Sequence, residues 1–240
     1  MANKLNQRLQ TWIPDDPDFL NLEEDFIRAI RADTVALDPG DTELIPLIAM
    51  VVQQSDTTLS AQIAATLAAG VTPVKLLEVV YQLEPVVGLP KVTLALRRIH
   101  AVFRDQDLTV TPAPATATSA EAGAAIQAQL YGTEIKDLMA DLPAKANQCL
   151  PEWLTDHFFT QYYQRPSLTV AQRERYGLMA LITLNVDFQI NAHAKGSLKA
   201  GNSETILVWS ALQLLPFIGF PLVINSVQKI HAAAAQLELA

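Results

Sequence analysis

The stretch QLEPVVGLPKV, residues 82–92, returns as QLLPFIGFPLV at residues 213–223, 131 positions later. At that offset, without gaps, Glu43 falls on Glu174, Leu47 on Leu178, Asp56 on Asp187, Gly70 on Gly201 and His100 on His231. Residues 43–102 and 174–233 share 18 of 60 positions, where a chain this rich in Ala and Leu gives about 5 by chance. Glycine and proline at fixed spacing punctuate a backbone rather than fill it, so the Gln-Leu-x-Pro-x-x-Gly-x-Pro pattern carries most of the weight. The chain reads as a tandem duplication. Its repeats cover 1–108 and 121–240, joined by a Pro/Ala/Thr-rich linker over 109–120.

Each repeat reads as helices. Asp41 or Thr42 in the first and Thr169 in the second are placed to cap an opening helix, with Pro46 within about a turn of the start. A second helix runs from Asp56 or Asp187 to Gly70 or Gly201, glycines placed for a left-handed C-terminal residue. Thr72 and Ser203 cap the next helix, with Pro73 at its first position. The turns PVVGLP and PFIGFP then lead into a long last helix. Residues 121–164 supply a further helix or two before PEWLTDHFFTQYYQ. No segment alternates as a strand does, and the fold class is all-α.

Composition narrows the function. Of 240 residues half are hydrophobic, enough for one large or two small cores. A net charge of -8 without a basic cluster excludes nucleic acid and argues against an anionic membrane surface. The single cysteine, Cys149, leaves no intrachain disulfide and no C-x-x-C, which points to a reducing, cytoplasmic setting. The N-terminal residues lack the apolar core of a signal peptide. Residues 206–224 are apolar enough to raise a membrane span, but Gln213, Pro216, Gly219 and Pro221 break them into two helices and a turn.

Few residues can carry chemistry. His100 and His231, matched between repeats near a helix end, read as structural, and His157 among aromatics as a surface or boundary residue. His193 differs, because Gln62 stands at its position in the first repeat. Helical spacing places Gln189, His193, Gly196, Ser197 and Ala200 along one side, and the small residues let another backbone approach. His193 is therefore either a packing histidine or a site. Glu174, between Arg173 and Arg175, is either a first-turn carboxylate held by the helix N-terminus and those arginines or a functional one. There is no phosphate-cradling loop, no nucleophile elbow and no metal-ligand cluster. A lone His and Glu support proton transfer and little else.

Residues 168–221 resemble the carboxymuconolactone decarboxylase / alkylhydroperoxidase D-like family. The resemblance rests on the Arg-Glu-Arg start at 173–175, His193 eight residues before Gly201, the Ser203 cap, and the motif from Gln213 to Pro221. It extends more loosely over the first repeat, and it implies a duplicated, alkylhydroperoxidase D-like helical bundle whose chains associate, here as a trimer of tandem chains. In the hydroperoxidase branch a C-x-x-C precedes the histidine. Val186 and Gln189 stand at those two positions, so thiol peroxidase chemistry has no nucleophile.

The decarboxylase branch needs neither thiol nor cofactor nor metal. It must hold a leaving carboxylate, stabilise a dienolate and protonate carbon. By this resemblance His193 and Glu174 are the expected catalytic pair, acting on a small-molecule substrate such as a carboxylated lactone. Gln189, Trp209, Gln213 and Phe217 are the expected substrate contacts. The first repeat, with Glu43 but Gln62 for the histidine, is expected to be a structural partner. The alternative is a non-catalytic oligomeric binding or scaffold protein.

Overall fold

The computed structural model describes residues 2–111 and 118–238, and all the secondary structure within them is helical. In the first half these are α1 (Ala2–Trp12), α2 (Pro17–Asp33), α3 (Asp41–Val52), α4 (Asp56–Ala68), α5 (Pro73–Tyr81), α6 (Glu84–Val87) and α7 (Leu89–Asp105). The second half adds α8 (Ala120–Tyr131), α9 (Glu134–Leu138), α10 (Ala146–Trp153) and a π-helix (Leu154–Tyr162). It continues with α11 (Val170–Leu184), α12 (Asp187–Lys199), α13 (Glu204–Leu212), α14 (Leu215–Ile218) and α15 (Phe220–Glu238). Helices α4, α5, α6 and α7 begin 131 residues before α12, α13, α14 and α15 respectively. The expected linker includes residues 112–117, which lie outside the described residues.

Local chemistry accounts for most helix ends. Thr169 caps α11 through a capping box with Gln172, and the hydroxyls of Thr72 and Ser203 accept from the amides of Lys75 and Ile206. Gly70 and Gly201 take φ of +92° and +100° just past α4 and α12. The opening of α3 departs from expectation: Gly40, in the left-handed region, is the cap, and neither Asp41 nor Thr42 fills that role. Asp41 is fully buried and its carboxylate is engaged elsewhere. Pro46 lies in the second turn of α3, deeper than its spacing suggested. The apolar stretch 206–224 is divided among α13, α14 and α15, and no helix of the described residues is long and apolar enough to cross a membrane.

Helices α3 and α11 are buried on nearly every side, as helices apolar all round must be. They pack on each other, and one continuous hydrophobic core takes in residues of both halves. Around them lie α4 and α7 on one side and α12, α13 and α15 on the other. Two further layers close the ends: α1 with α2 over α4, and α8 with the π-helix over α12.

The two arginines of α11 join the halves. Arg175 Nη2 lies 2.5 Å from Asp38 Oδ2 and 2.7 Å from Asp41 Oδ2, while the Tyr176 hydroxyl donates to Asp41 Oδ1 at 2.9 Å. Arg173 donates to the Arg165 carbonyl at 2.8 Å and to Gln82 Oε1 at 3.3 Å, with Glu78 Oε2 3.6 Å away. Both guanidinium groups are 1% exposed or less. A buried charge stripped of its partner is strongly destabilising, whereas replacing both charges by apolar groups often is not. Arg175→Met should lower the urea unfolding free energy by about 3–5 kcal/mol. The double variant Asp41→Leu/Arg175→Met should recover most of that loss.

Candidate active site

Glu174 sits in the second turn of α11 with no exposed surface. A carboxylate there must find donors inside the protein. The donors come from the covering layer: the Tyr163 hydroxyl, just past the π-helix, donates to Oε1, and the Tyr131 hydroxyl, at the end of α8, donates to Oε2. His193 on α12 brings Nδ1 to 2.8 Å from the Tyr131 oxygen and 3.2 Å from Glu174 Oε2. The arginines beside Glu174 in sequence turn away to the other half, so they are not its partners. The expected pair, His193 and Glu174, is thus brought together. Sequence reasoning missed its two tyrosines, one in the stretch LYGTEIKDL (130–138) and the other in the aromatic run 158–163.

Proton positions follow from the donors. Burial first, and then the Glu174 charge, push the Tyr131 and Tyr163 phenols well above their ordinary range, so each keeps its single proton. Both protons go to Glu174, one per oxygen. Nδ1 of His193 therefore has only acceptors in front of it and carries hydrogen, which leaves Nε2 as the basic nitrogen in the neutral ring. His193 also lines a cavity of about 60 Å3, together with Phe158, Phe159, Phe188, Leu154 and Gln189, among others. The side chain of His193 is 13% exposed, so a proton can be exchanged there.

Gly196 makes the arrangement possible. A Cβ at this position would lie 2.7 Å from the Tyr131 hydroxyl and 2.8 Å from Glu174 Oε2. The small residues of α12 thus admit side chains rather than another backbone. Ser197, beside it, is fully buried with its hydroxyl unpaired.

In the first half the same carboxylate position is held differently. Glu43 receives Arg8 on Oε2 and Arg31 on Oε1 at 2.8 Å. Gln62, the counterpart of His193, donates to Glu43 Oε2 at 3.0 Å and to its carbonyl at 2.7 Å. A space of about 10 Å3, at most one water, lies against Arg8, Arg31 and Thr42. Two of the expected substrate contacts lie here and not beside His193. Phe217 and Gln213 line this space with Arg8 and Arg31, and Gln213 Nε2 donates to Thr34 Oγ1 at 2.9 Å. The reason is that each Gln-Leu-x-Pro-x-x-Gly-x-Pro turn reaches across the interface: Gln82 meets Arg173, and Val86 packs on the aromatic cluster around Tyr131. Trp209 is half-buried, its carbonyl accepting from Gln213 at 3.3 Å, and lines neither space. Gln189 does line the His193 cavity.

The remaining histidines lie elsewhere. His157 Nε2 is 2.9 Å from Glu84 Oε2, His231 Nδ1 is 2.7 Å from Glu204 Oε1, and His100 packs edge-on against Phe103. Among the described residues no group of three or more His, Cys, Asp or Glu side chains is arranged to hold a metal ion.

Residues 17–101 match the model of the carboxymuconolactone decarboxylase family. The match spans α2 through most of α7, the half in which the sequence likeness was the looser one. No curated protein matches the chain.

All five tyrosines are pushed above their ordinary value, chiefly by burial, and Tyr162 is pushed up to about 12. Spectrophotometric titration at the tyrosinate band should therefore find far less ionised tyrosine in the native protein at pH 10 than the roughly half expected of free tyrosine. A phenol whose folded pKa is raised contributes stability below its unfolded value of about 10 and loses it as pH rises through the folded value. Unfolding free energy should fall steeply above pH 10, and tyrosinate should appear together with unfolding.

Proposed function

We propose that the second half of the chain is a cofactor-free acid–base centre of the carboxymuconolactone decarboxylase family type. In this reading His193 Nε2 moves a proton to or from carbon on a small lactone-like substrate. The observation that carries it is the chain of contacts Glu174, Tyr131, His193, with His193 also lining an apolar cavity. Protonated His193 is offset by Glu174 behind it, and the tyrosines hold that carboxylate still. Orientation of the imidazole is supplied before substrate arrives.

Decarboxylation of a carboxylated lactone, or a related lactone step, is the reaction class that family membership supports. The reading takes the chain as a tandem duplication over 1–108 and 121–240, supported by the helices offset by 131 residues. It allows one site per chain, because the Glu43 position is closed by Arg8 and Arg31 and lacks the histidine. Trimeric association of the chains belongs to the same reading. It is supported by the apolar side chains exposed near the site, Phe188 and Trp153, and sedimentation would measure it.

A decarboxylation and lactone screen should find turnover that His193→Ala lowers by about 10²–10⁴-fold, the usual weight of a general acid–base group. Glu43→Gln should leave the rate within a few-fold of wild type. Equal turnover of wild type and His193→Ala would end the acid–base reading. Gly196→Ala should lower the rate as well, by forcing Tyr131 away from Glu174, while Gly177→Ala, at a site with open space for a Cβ, should not.

A further inference from the structure

We infer that the cavity beside His193 takes an uncharged, unsaturated ring, and that any carboxylate on the substrate remains outside at the Gln189 mouth. This rests on the reading of His193 as the reacting group and chooses between the substrate classes that reading leaves open. The walls are Phe158 and Phe159 of the π-helix, Phe188, Leu154 and Ile135, and no arginine or lysine is among the lining residues. Of the polar groups there, Tyr131 spends its only proton on Glu174. That leaves His193 Nε2 and the amide of Gln189 to meet a ligand.

An ionised carboxylate drawn into such a space loses its water without gaining a cation or a set of donors. It would also stand one imidazole ring from Glu174, an anion with no arginine or lysine among its partners. The chain's net charge of -8 adds a long-range field that disfavours anions. A flat neutral ring meets none of these penalties and finds aromatic faces and edges to stack on. The space of about 60 Å3, open on one side to solvent, is smaller than the roughly 150 Å3 cavity that accommodates benzene. A ring therefore sits partly in the opening, against Phe188, which is 54% exposed. The acidic substituents of a carboxylated lactone do not fit this wall, whereas its ring does.

Benzyl alcohol and benzoate share a ring and differ in charge. Titrated at pH 8 into the full-length protein, with histidine and glutamine side-chain NMR signals as the readout, benzyl alcohol should shift His193 and Gln189. It should bind at least tenfold more tightly than benzoate. Ile135→Arg, which puts a cation on the wall at a half-buried position, should reverse that order. Benzoate binding wild type as tightly as benzyl alcohol overturns the inference, as does a failure of either ring to shift His193 at millimolar concentration. His193→Gln separates this from the catalytic reading. Turnover that survives His193→Gln removes the acid–base role and leaves the ring preference standing. A preference for benzoate does the reverse.

Discussion

A carboxylate placed in the opening turns of a fully buried helix has to be answered by hydrogen-bond donors from somewhere else in the chain. That requirement acts twice, at Glu43 in α3 and at Glu174 in α11, and it determines which segments cover each half of the bundle. The first layer docks through Arg8 of α1 and Arg31 of α2. The second docks through Tyr131 of α8 and Tyr163 beyond the π-helix. In both, one partner takes Oε2 and the other Oε1, so the geometry of the cradle is the same while its charge is not.

That difference in charge separates the electrostatics of the two halves. Two guanidinium groups neutralise Glu43 completely and leave nothing for a neighbouring base to do, and Gln62 has no titratable proton. Two phenols stabilise Glu174 without cancelling its charge, so the negative field is available to His193. Desolvation strengthens this coupling, since the effective dielectric is far below that of water. The arginines adjacent to Glu174 would have abolished the distinction had they faced it. They are instead spent on Glu78, Asp38 and Asp41, where they join the halves.

Much of this was legible from residue order alone. The all-α architecture and the helix starts at Pro73 and Glu204 follow from the caps Thr72 and Ser203 and from Gly70 and Gly201, which take a left-handed conformation that side chains disfavour. The pairing of His193 with Glu174 came from the family resemblance, because helical spacing by itself left each of the two open between a packing role and a functional one. The covering layers were not legible: α1, α2 and α8 show no pattern that distinguishes a docking arginine or tyrosine from a surface one. Nor was the crossing of the Gln-Leu-x-Pro-x-x-Gly-x-Pro turns, which moved Gln213 and Phe217 to the Glu43 side. Sequence spacing fixes neighbours within one helical hairpin but says little about which half a turn leans on. The cap of α3 was misread for a related reason, because Asp41 is used across the interface and only Gly40 was left to start the helix.

A π-helix occupies the residues between Trp153 and Tyr163. Its i→i+5 bonding, as in the Tyr163 amide to the Phe158 carbonyl at 3.2 Å, winds the chain more widely than an α-helix. Thr160 is thereby brought so close to α8 that a Cβ at Gly123 would lie 2.9 Å from its backbone nitrogen. The reach of Tyr163 to Glu174 is consequently encoded in the number of residues rather than in their kinds. Natural variation at this segment would be constrained in length before it is constrained in composition. Substitution scanning would pass over that constraint, which only an insertion or deletion exposes.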